Sequence, residues 1–414
     1  MRKTSEWVSL GHPDKMADYI SSFILDRYLE RDPMTRYALE VQIKDNFVTL
    51  GGEITSQANF TEDELTLFVK IAVAQIGYTK CYQNTWGAEN TICDQDLVVT
   101  HHIGQQSPDI AQSVDASGWG DQGIFWGMAV NDPTTNFMPK DHYLARKIGQ
   151  QLYDIKYAGL DIKTQVTLFD NEPEEIVVAI PMLPKHSEQD IANAVQFCCN
   201  GKTNYKLVVN GTGKFVKHGP IGDCGTTGRK LAVDFYGGNC RIGGGSPWTK
   251  DGSKADLTLN LLAREKALNF LKKHSDIQEV HCSIACRIGS PEIIVSLYDG
   301  NLNELTSYRE TVNPAADHRP LLFAETQICA AVPKRTVVMN LWFTWIITLI
   351  SLTGTALNVR KNIWCFYLWT FGNTCWLTFD LWQGLYSRAL LDFVQLVFAV
   401  WGIIAWRKKS PDQN

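Results

Sequence analysis

The chain has 414 residues and a formal net charge of −5, which leaves room for more than one domain and gives no electrostatic case for a nucleic-acid partner. Its eleven cysteines, an odd number without a Cys-x-x-Cys pair, exclude a regular disulfide framework, and the N-terminus lacks the apolar run of a secretory signal. Cys198–Cys199 are adjacent and Cys282 and Cys286 lie four apart; neither matches a common zinc spacing, and a reduced compartment is the simplest account.

The first element is carried by SLGHPDKMADYISSFILD, residues 9–26. Met16, Ile20, Phe23, Ile24 and Tyr28 recur with the period of a helix that buries one face. Pro13 suits its first position, where the missing N–H costs nothing. His12, Asp14 and Lys15 therefore crowd a helix N-terminus, a place that favours anions. By itself the stretch is met more simply by a solvated helix start with Asp14 as dipole partner; the sharper reading is a site for phosphate and metal. Next, YALEVQIKDNFVTLGGEI alternates Leu39, Val41 and Ile43 with Glu40, Gln42 and Lys44, then turns at Asp45-Asn46, the pattern of a hairpin. Residues 61–78 read as a helix with Thr61 and Glu64 in capping-box spacing. Gly118, Gly120 and Gly123 match G-x-G-x-x-G, but a polar loop precedes them and the strand-like IFWGMAV follows, the reverse of a dinucleotide fingerprint. They read instead as a mobile loop that delivers Asp121.

The densest stretch is 211–256, about a quarter glycine, with Asp223, Arg229, Lys230, Lys250, Asp251, Lys254 and Asp256 set among the glycines. Glycine lets backbone approach a ligand closely, Arg and Lys hold polyphosphate, and Asp holds Mg²⁺ through oxygen. Surface turns would account for the glycines but not for so many interleaved charges. From Val337 onward the composition changes, and eight of the thirteen tryptophans fall there. Val337–Leu357, Ile363–Leu381 and Ala389–Trp406 each have about the ~20 residues that cross a bilayer, with Trp and Tyr near their ends. The expected division is a region 1–330 followed by a transmembrane domain 337–406.

Six motifs in one order then point to a family: GHPDK (11–15), GGEIT (51–55), GQQSPDI (104–110), GDQG (120–123), GDCGTTGRK (222–230) and KDGSKAD (250–256). Over about residues 4–300 the chain resembles S-adenosylmethionine synthetase (methionine adenosyltransferase). The resemblance implies an α/β fold of three similar, discontinuous domains. It implies a homodimer, or a tetramer, with shared active sites. The implied reaction is attack of methionine sulfur on C5′ of ATP, departure of all three phosphates and hydrolysis of the tripolyphosphate. Carried over by residue, His12, Lys163 and Arg229 would act on the departing triphosphate. Glu6 and Asp109 would face the nucleoside, and Asp223, Lys230, Lys250 and Lys254 the polyphosphate. Glu53, Gln106 and Asp121 would hold methionine. Asp14 and Asp256 would bind Mg²⁺, two ions per site, and Glu40 would bind K⁺.

The chain departs from the family at Leu10, where an acid is usual, at Gln105 in place of Lys, and at Ile242 in place of His. Ser246–Trp248 replaces smaller residues, and the C-terminal segment is expected to be truncated or divergent after about residue 310. No chemical group assigned above is deleted. The tail resembles, through Trp364, Trp369 and Asn373, the nicotinamide mononucleotide/riboside transporter family. Three functions result: a synthetase tethered to a membrane with its catalytic region cytoplasmic, a transporter of a nicotinamide-nucleotide-like solute whose nucleotide-binding region is catalytically weak, or a scaffold in which both parts are relics. Methionine-dependent phosphate release from ATP separates the first from the other two.

Overall fold

The computed structural model of the chain describes residues 1–105, 118–155, 158–313, 353, 364–382 and 393–401. Two units are resolved, Met1–Arg335 and Thr336–Asn414. Among the described residues the first is built on twelve strands: β1 (Arg2–Val8), β2 (Arg36–Lys44), β3 (Phe47–Thr55), β4 (Val98–Gly104), β5 (Gly123–Val130), β6 (Lys163–Phe169), β7 (Glu172–Ala179), β8 (Lys206–Val209), β9 (Gly225–Thr226), β10 (Glu279–Cys286), β11 (Glu292–Asp299) and β12 (Glu304–Thr311). Its helices are α1 (Pro13–Arg31), α2 (Glu62–Ile76), α3 (Lys80–Trp86), α4 (Lys140–Ile155), α5 (Glu188–Cys198) and α6 (Ala255–Lys273).

The strands form three four-stranded sheets, ordered β1-β6-β7-β8, β4-β3-β2-β9 and β12-β11-β10-β5. Each draws on distant parts of the chain, so the expected plan of three like, discontinuous α/β domains holds. Alternation decides which face is buried. In β2, Tyr37, Leu39, Val41 and Ile43 are buried, whereas Glu40, Gln42 and Lys44 are exposed. The buried faces meet helices: Leu39, Val41 and Leu50 pack with Ile20, Ile24, Val69 and Val73 of α1 and α2. Val166 and Ile176 pack with Ile148 and Val195 of α4 and α5, and Ile284 and Val295 with Leu259 and Ala263 of α6.

The 36–55 hairpin forms in the expected register, Lys44 opposite Phe47, with Asp45 left-handed at φ 51°. IFWGMAV lies within β5, which removes the dinucleotide reading. The loop before β5 is not free throughout: Trp119 is fully buried, its N–H donating to Ser290 O at 3.2 Å. Helix α1 departs from the one-faced expectation. Besides its apolar residues it buries Asp14, Lys15, Asp18, Ser21 and Ser22. Its second face is covered by β9 and the segment around Trp248; Ser22 Oγ donates to Trp248 O at 2.8 Å.

In the second unit, residues 364–382 form a helix, α7 (Trp364–Trp382). Among the described residues, no helix is long and apolar enough to cross a membrane. The expected span Ile363–Leu381 falls short because Asn373, Asp380 and three threonines interrupt its apolar residues. Apart from residue 353, Val337–Leu357 lies outside the described residues, and of Ala389–Trp406 only 393–401 is described.

Helix α2 carries the full capping box: Thr61 Oγ1 accepts from Glu64 N at 3.2 Å and Glu64 Oε2 from Thr61 N at 2.8 Å. Thr61→Ala is expected to destabilise the protein by about 1 kcal/mol, read as a lower urea midpoint at unchanged slope.

Candidate active site

Two segments of the glycine-rich stretch dock along one edge of β2. Near one end, Gly225 and Thr226 pair with Ile43 and Gln42. Near the other, Leu39 N donates to Thr249 O at 3.1 Å and Tyr37 N to Asp251 Oδ2 at 2.6 Å. Gly225 passes so close to α1 that an added Cβ would lie 2.2 Å from Pro13 O. Gly228, at φ +72°, reverses the chain so that Arg229 and Lys230 return over the start of the helix.

There His12 is the N-cap of α1, its Nδ1 accepting from Asp14 N at 3.1 Å. Burial, reinforced by Lys163, Lys230 and Lys15 against the opposing Asp223, pushes the imidazole down to about 2. His12 is therefore neutral, and because Nδ1 accepts, its proton sits on Nε2. Asp14 Oδ1 accepts from Thr226 N at 2.9 Å, Oδ2 meets Lys230 Nζ at 2.5 Å, and Arg229 Nε lies 3.8 Å from Oδ1. Beneath this layer Lys15 is fully buried between Asp18 (2.9 Å) and Asp234 (2.7 Å). Burial alone would strip its proton; the two carboxylates outweigh that and raise its pKa.

The remaining assigned residues fall into neighbouring groups. Glu40 accepts from the hydroxyls of Thr227 and, at 3.3 Å, Thr249. Glu53 lies opposite Ala38 on the exposed face that carries Glu40, and Ala38 bridges to Lys250. Lys250 is paired with Asp256, and Lys254 with Asp251 at 2.8 Å. Asp121 is exposed, and it and Asp256 both bear on Cys286, whose thiol burial and these carboxylates push up to about 11. Glu6 stands on the exposed face of β1 opposite Gln165, two pairs from Lys163 opposite Val8. Gln106 and Asp109 lie outside the described residues.

Sequence reasoning passed over Asp161, two residues before Lys163. It is buried, accepts from Gly219 N at 3.0 Å, and its other oxygen has no hydrogen-bond partner among the described residues. Burial, helped by Asp223 and Asp14 against Gly219 N–H and Lys163, pushes it up to about 6. Asp18 and Asp234 were also without a role, and Lys15, expected beside His12 and Asp14 at the anion site, is instead buried against these two carboxylates; the i, i+3 spacing of Lys15 and Asp18 was the available signal.

Among the described residues, no three His, Cys, Asp or Glu side chains gather into a metal cage. Mg²⁺ commonly takes one or two carboxylates and completes its shell with water and substrate phosphate. Asp14 and Asp256, each already holding a lysine ammonium, fit that demand, and Glu40 with two threonine hydroxyls is a hard oxygen set for a monovalent cation.

Three like sheets with a cation-rich cradle at a helix N-terminus define an α/β protein, and the chemistry of that cradle suits an anion. Family models for the S-adenosylmethionine synthetase N-terminal, central and C-terminal domains match residues 1–108, 116–215 and 217–329. The chain belongs to the S-adenosylmethionine synthetase family. It is similar to a solved structure titled as an unusual S-adenosylmethionine synthetase from Campylobacter jejuni, at 29% identity and a TM-score of 0.64, over 73% of this chain and 82% of that one. The C-terminal match runs to residue 329, which corrects the expected end of the resemblance near 300–310. None of the three models reaches 337–406, and the transporter alternative gains no support.

Behind the site, buried His218 donates from Nδ1 to Val216 O and accepts the Tyr82 hydroxyl at Nε2 (2.7 Å). Burial pushes it down to about 4 from 6.5, opposed by the Val216 contact. A histidine lowered on folding contributes stability that is complete above pH 6.5 and is lost as pH falls toward 4. His218→Asn is expected to melt lower overall but with a flatter pH profile between 6.5 and 4, checked by thermal denaturation of both proteins across that range.

Proposed function

We propose that this protein synthesises S-adenosylmethionine from ATP and L-methionine. The observation that carries the reading is His12: a neutral imidazole, held by Asp14 N–H so that Nε2 is the donor, at a helix N-terminus ringed by Lys163, Arg229 and Lys230. The sulfur lone pair forms the S–C5′ bond, the C5′–O5′ bond breaks, and tripolyphosphate leaves with the bonding electrons. A thioether needs no general base, so catalysis is positioning and neutralisation of a departing polyanion. His12 Nε2–H would donate toward the oxygen that gains charge. A neutral donor does so without binding ground-state ATP as tightly as another cation would. Arg229, Lys230, Lys250 and Lys254 would exchange their carboxylate partners for phosphate oxygens, and water then cleaves the tripolyphosphate into diphosphate and phosphate. Mg²⁺ at Asp14 and Asp256 would supply further charge neutralisation, with K⁺ at Glu40. Glu6 and Asp109 would face the nucleoside, and Glu53, Gln106 and Asp121 the methionine. Dimerisation belongs to the same reading.

The test is methionine-dependent formation of S-adenosylmethionine and phosphate from ATP by the full-length chain; ATP turnover indifferent to methionine would refute it. Asn is a good N-cap, so His12→Asn should preserve α1 while its shorter amide fails to reach the leaving oxygen. We expect kcat to fall by about 100-fold with KM for ATP little changed, measured by initial rates. Asp14→Asn should raise the Mg²⁺ concentration needed for half-maximal rate, read by titration of the ion at saturating substrates.

Attachment to a membrane, with the catalytic region cytoplasmic, is a separate proposal supported by the apolar, Trp-rich pattern of 337–406. Full-length protein that stays with the membrane pellet through alkaline carbonate would bear it out; quantitative release would end it.

A further inference from the structure

Helix α1 grips the loop 225–230 at two points one turn apart: Asp14 Oδ1 accepts from Thr226 N and Asp18 Oδ1 from Gly228 N, both at 2.9 Å. The first grip belongs to a carboxylate assigned to metal and phosphate exchange. The second belongs to a buried chain of its own. Lys15 Nζ donates to Asp18 Oδ2 and to Asp234 Oδ2, and the latter oxygen also accepts Trp248 Nε1–H at 2.8 Å. Lys15 also lies over the Trp248 ring, 5.4 Å from its centroid. Trp248 in turn is wedged beside Phe235, its carbonyl held by Ser22 and its chain running straight into Thr249 and Lys250 on the β2 edge.

A buried ion cluster seldom adds net stability over an apolar core of the same volume, but it does fix geometry. Here the geometry fixed is the spacing between the two segments that carry Arg229–Lys230 and Lys250–Lys254. We propose that Trp248, Asp234, Lys15 and Asp18 are positioning residues, a single relay that sets the Arg229 loop in register with the Lys250 segment around a bound polyphosphate. The proposal rests on the polyphosphate-site reading above but not on turnover. Trp248 lies where the family resemblance implies smaller residues.

The test is a double-mutant cycle on the full-length chain, with tripolyphosphate in Mg²⁺ buffer as titrant and calorimetric affinity as readout. Trp248→Phe keeps an aromatic ring and removes the N–H. We expect it to weaken tripolyphosphate binding about tenfold, the scale of one hydrogen bond to a charged group. In an Arg229→Ala/Lys230→Ala background the same change should cost less than about twofold, because the cations of the loop it positions are gone. A tenfold loss in both backgrounds, or in neither, overturns the proposal. If the Trp248→Phe variant does not fold, the near-isosteric Asp18→Asn replaces it in the cycle with the same two outcomes. A coupled cycle in a protein that makes no S-adenosylmethionine would retain the relay and reject the synthetase reading. Active enzyme with an uncoupled cycle would do the reverse.

Discussion

The site depends on one seating: a glycine-rich chain lies along the edge of β2 while the first turn of α1 closes over it. Gly225 passes Pro13 O at a distance no side chain could tolerate, and Thr226 N–H bonds to Asp14. That contact places the positive end of a helix, two returning cations and a carboxylate within one small volume. Fields from these groups add there, and burial raises their strength because little water screens them. The neutral state of His12 follows directly. An imidazole withdrawn from water, with Lys163, Lys230 and Lys15 acting on it, is neutral near pH 7.

The same seating explains why α1 buries charged residues. A helix that served only a sheet would need one apolar stripe, and α1 has it. Its other side meets polar loops whose backbone N–H groups need acceptors, and Asp14 and Asp18 supply them. Lys15 then compensates charge that would otherwise be buried alone. Site and core are therefore one structure around this helix.

The three sheets relate to the site in different ways. The sheet containing β2 provides the edge and Glu40; the sheet containing β1 and β6 provides Glu6 and Lys163 on its exposed face. The sheet containing β5 and β10 brings Asp121 beside Cys286, close to Asp256 at the start of α6. Exposed faces that carry assigned substrate residues are consistent with active sites shared between subunits, the arrangement that the family resemblance implies.

Much of this was legible in the chain itself. Period and caps announce α1, α2 and the hairpin because local spacing alone decides which face meets a core. The motif series named the family because a polyphosphate site needs these charges and glycines at fixed positions. The tail was legible only as apolar and Trp-rich, and Asn373 and Asp380 keep α7 from qualifying as a span. Other features had no local signature. Asp161 reads like any loop carboxylate until Gly219 N–H bonds to it and burial holds it at about 6. Nothing near Trp248 in sequence foretells its bond to Asp234 or, through it, to Lys15, 233 positions earlier. Residue types and local periods belong to the sequence; desolvation and long-range pairing arise only when distant segments share one interior, and those decided the protonation of His12 and the hold on the Arg229 loop.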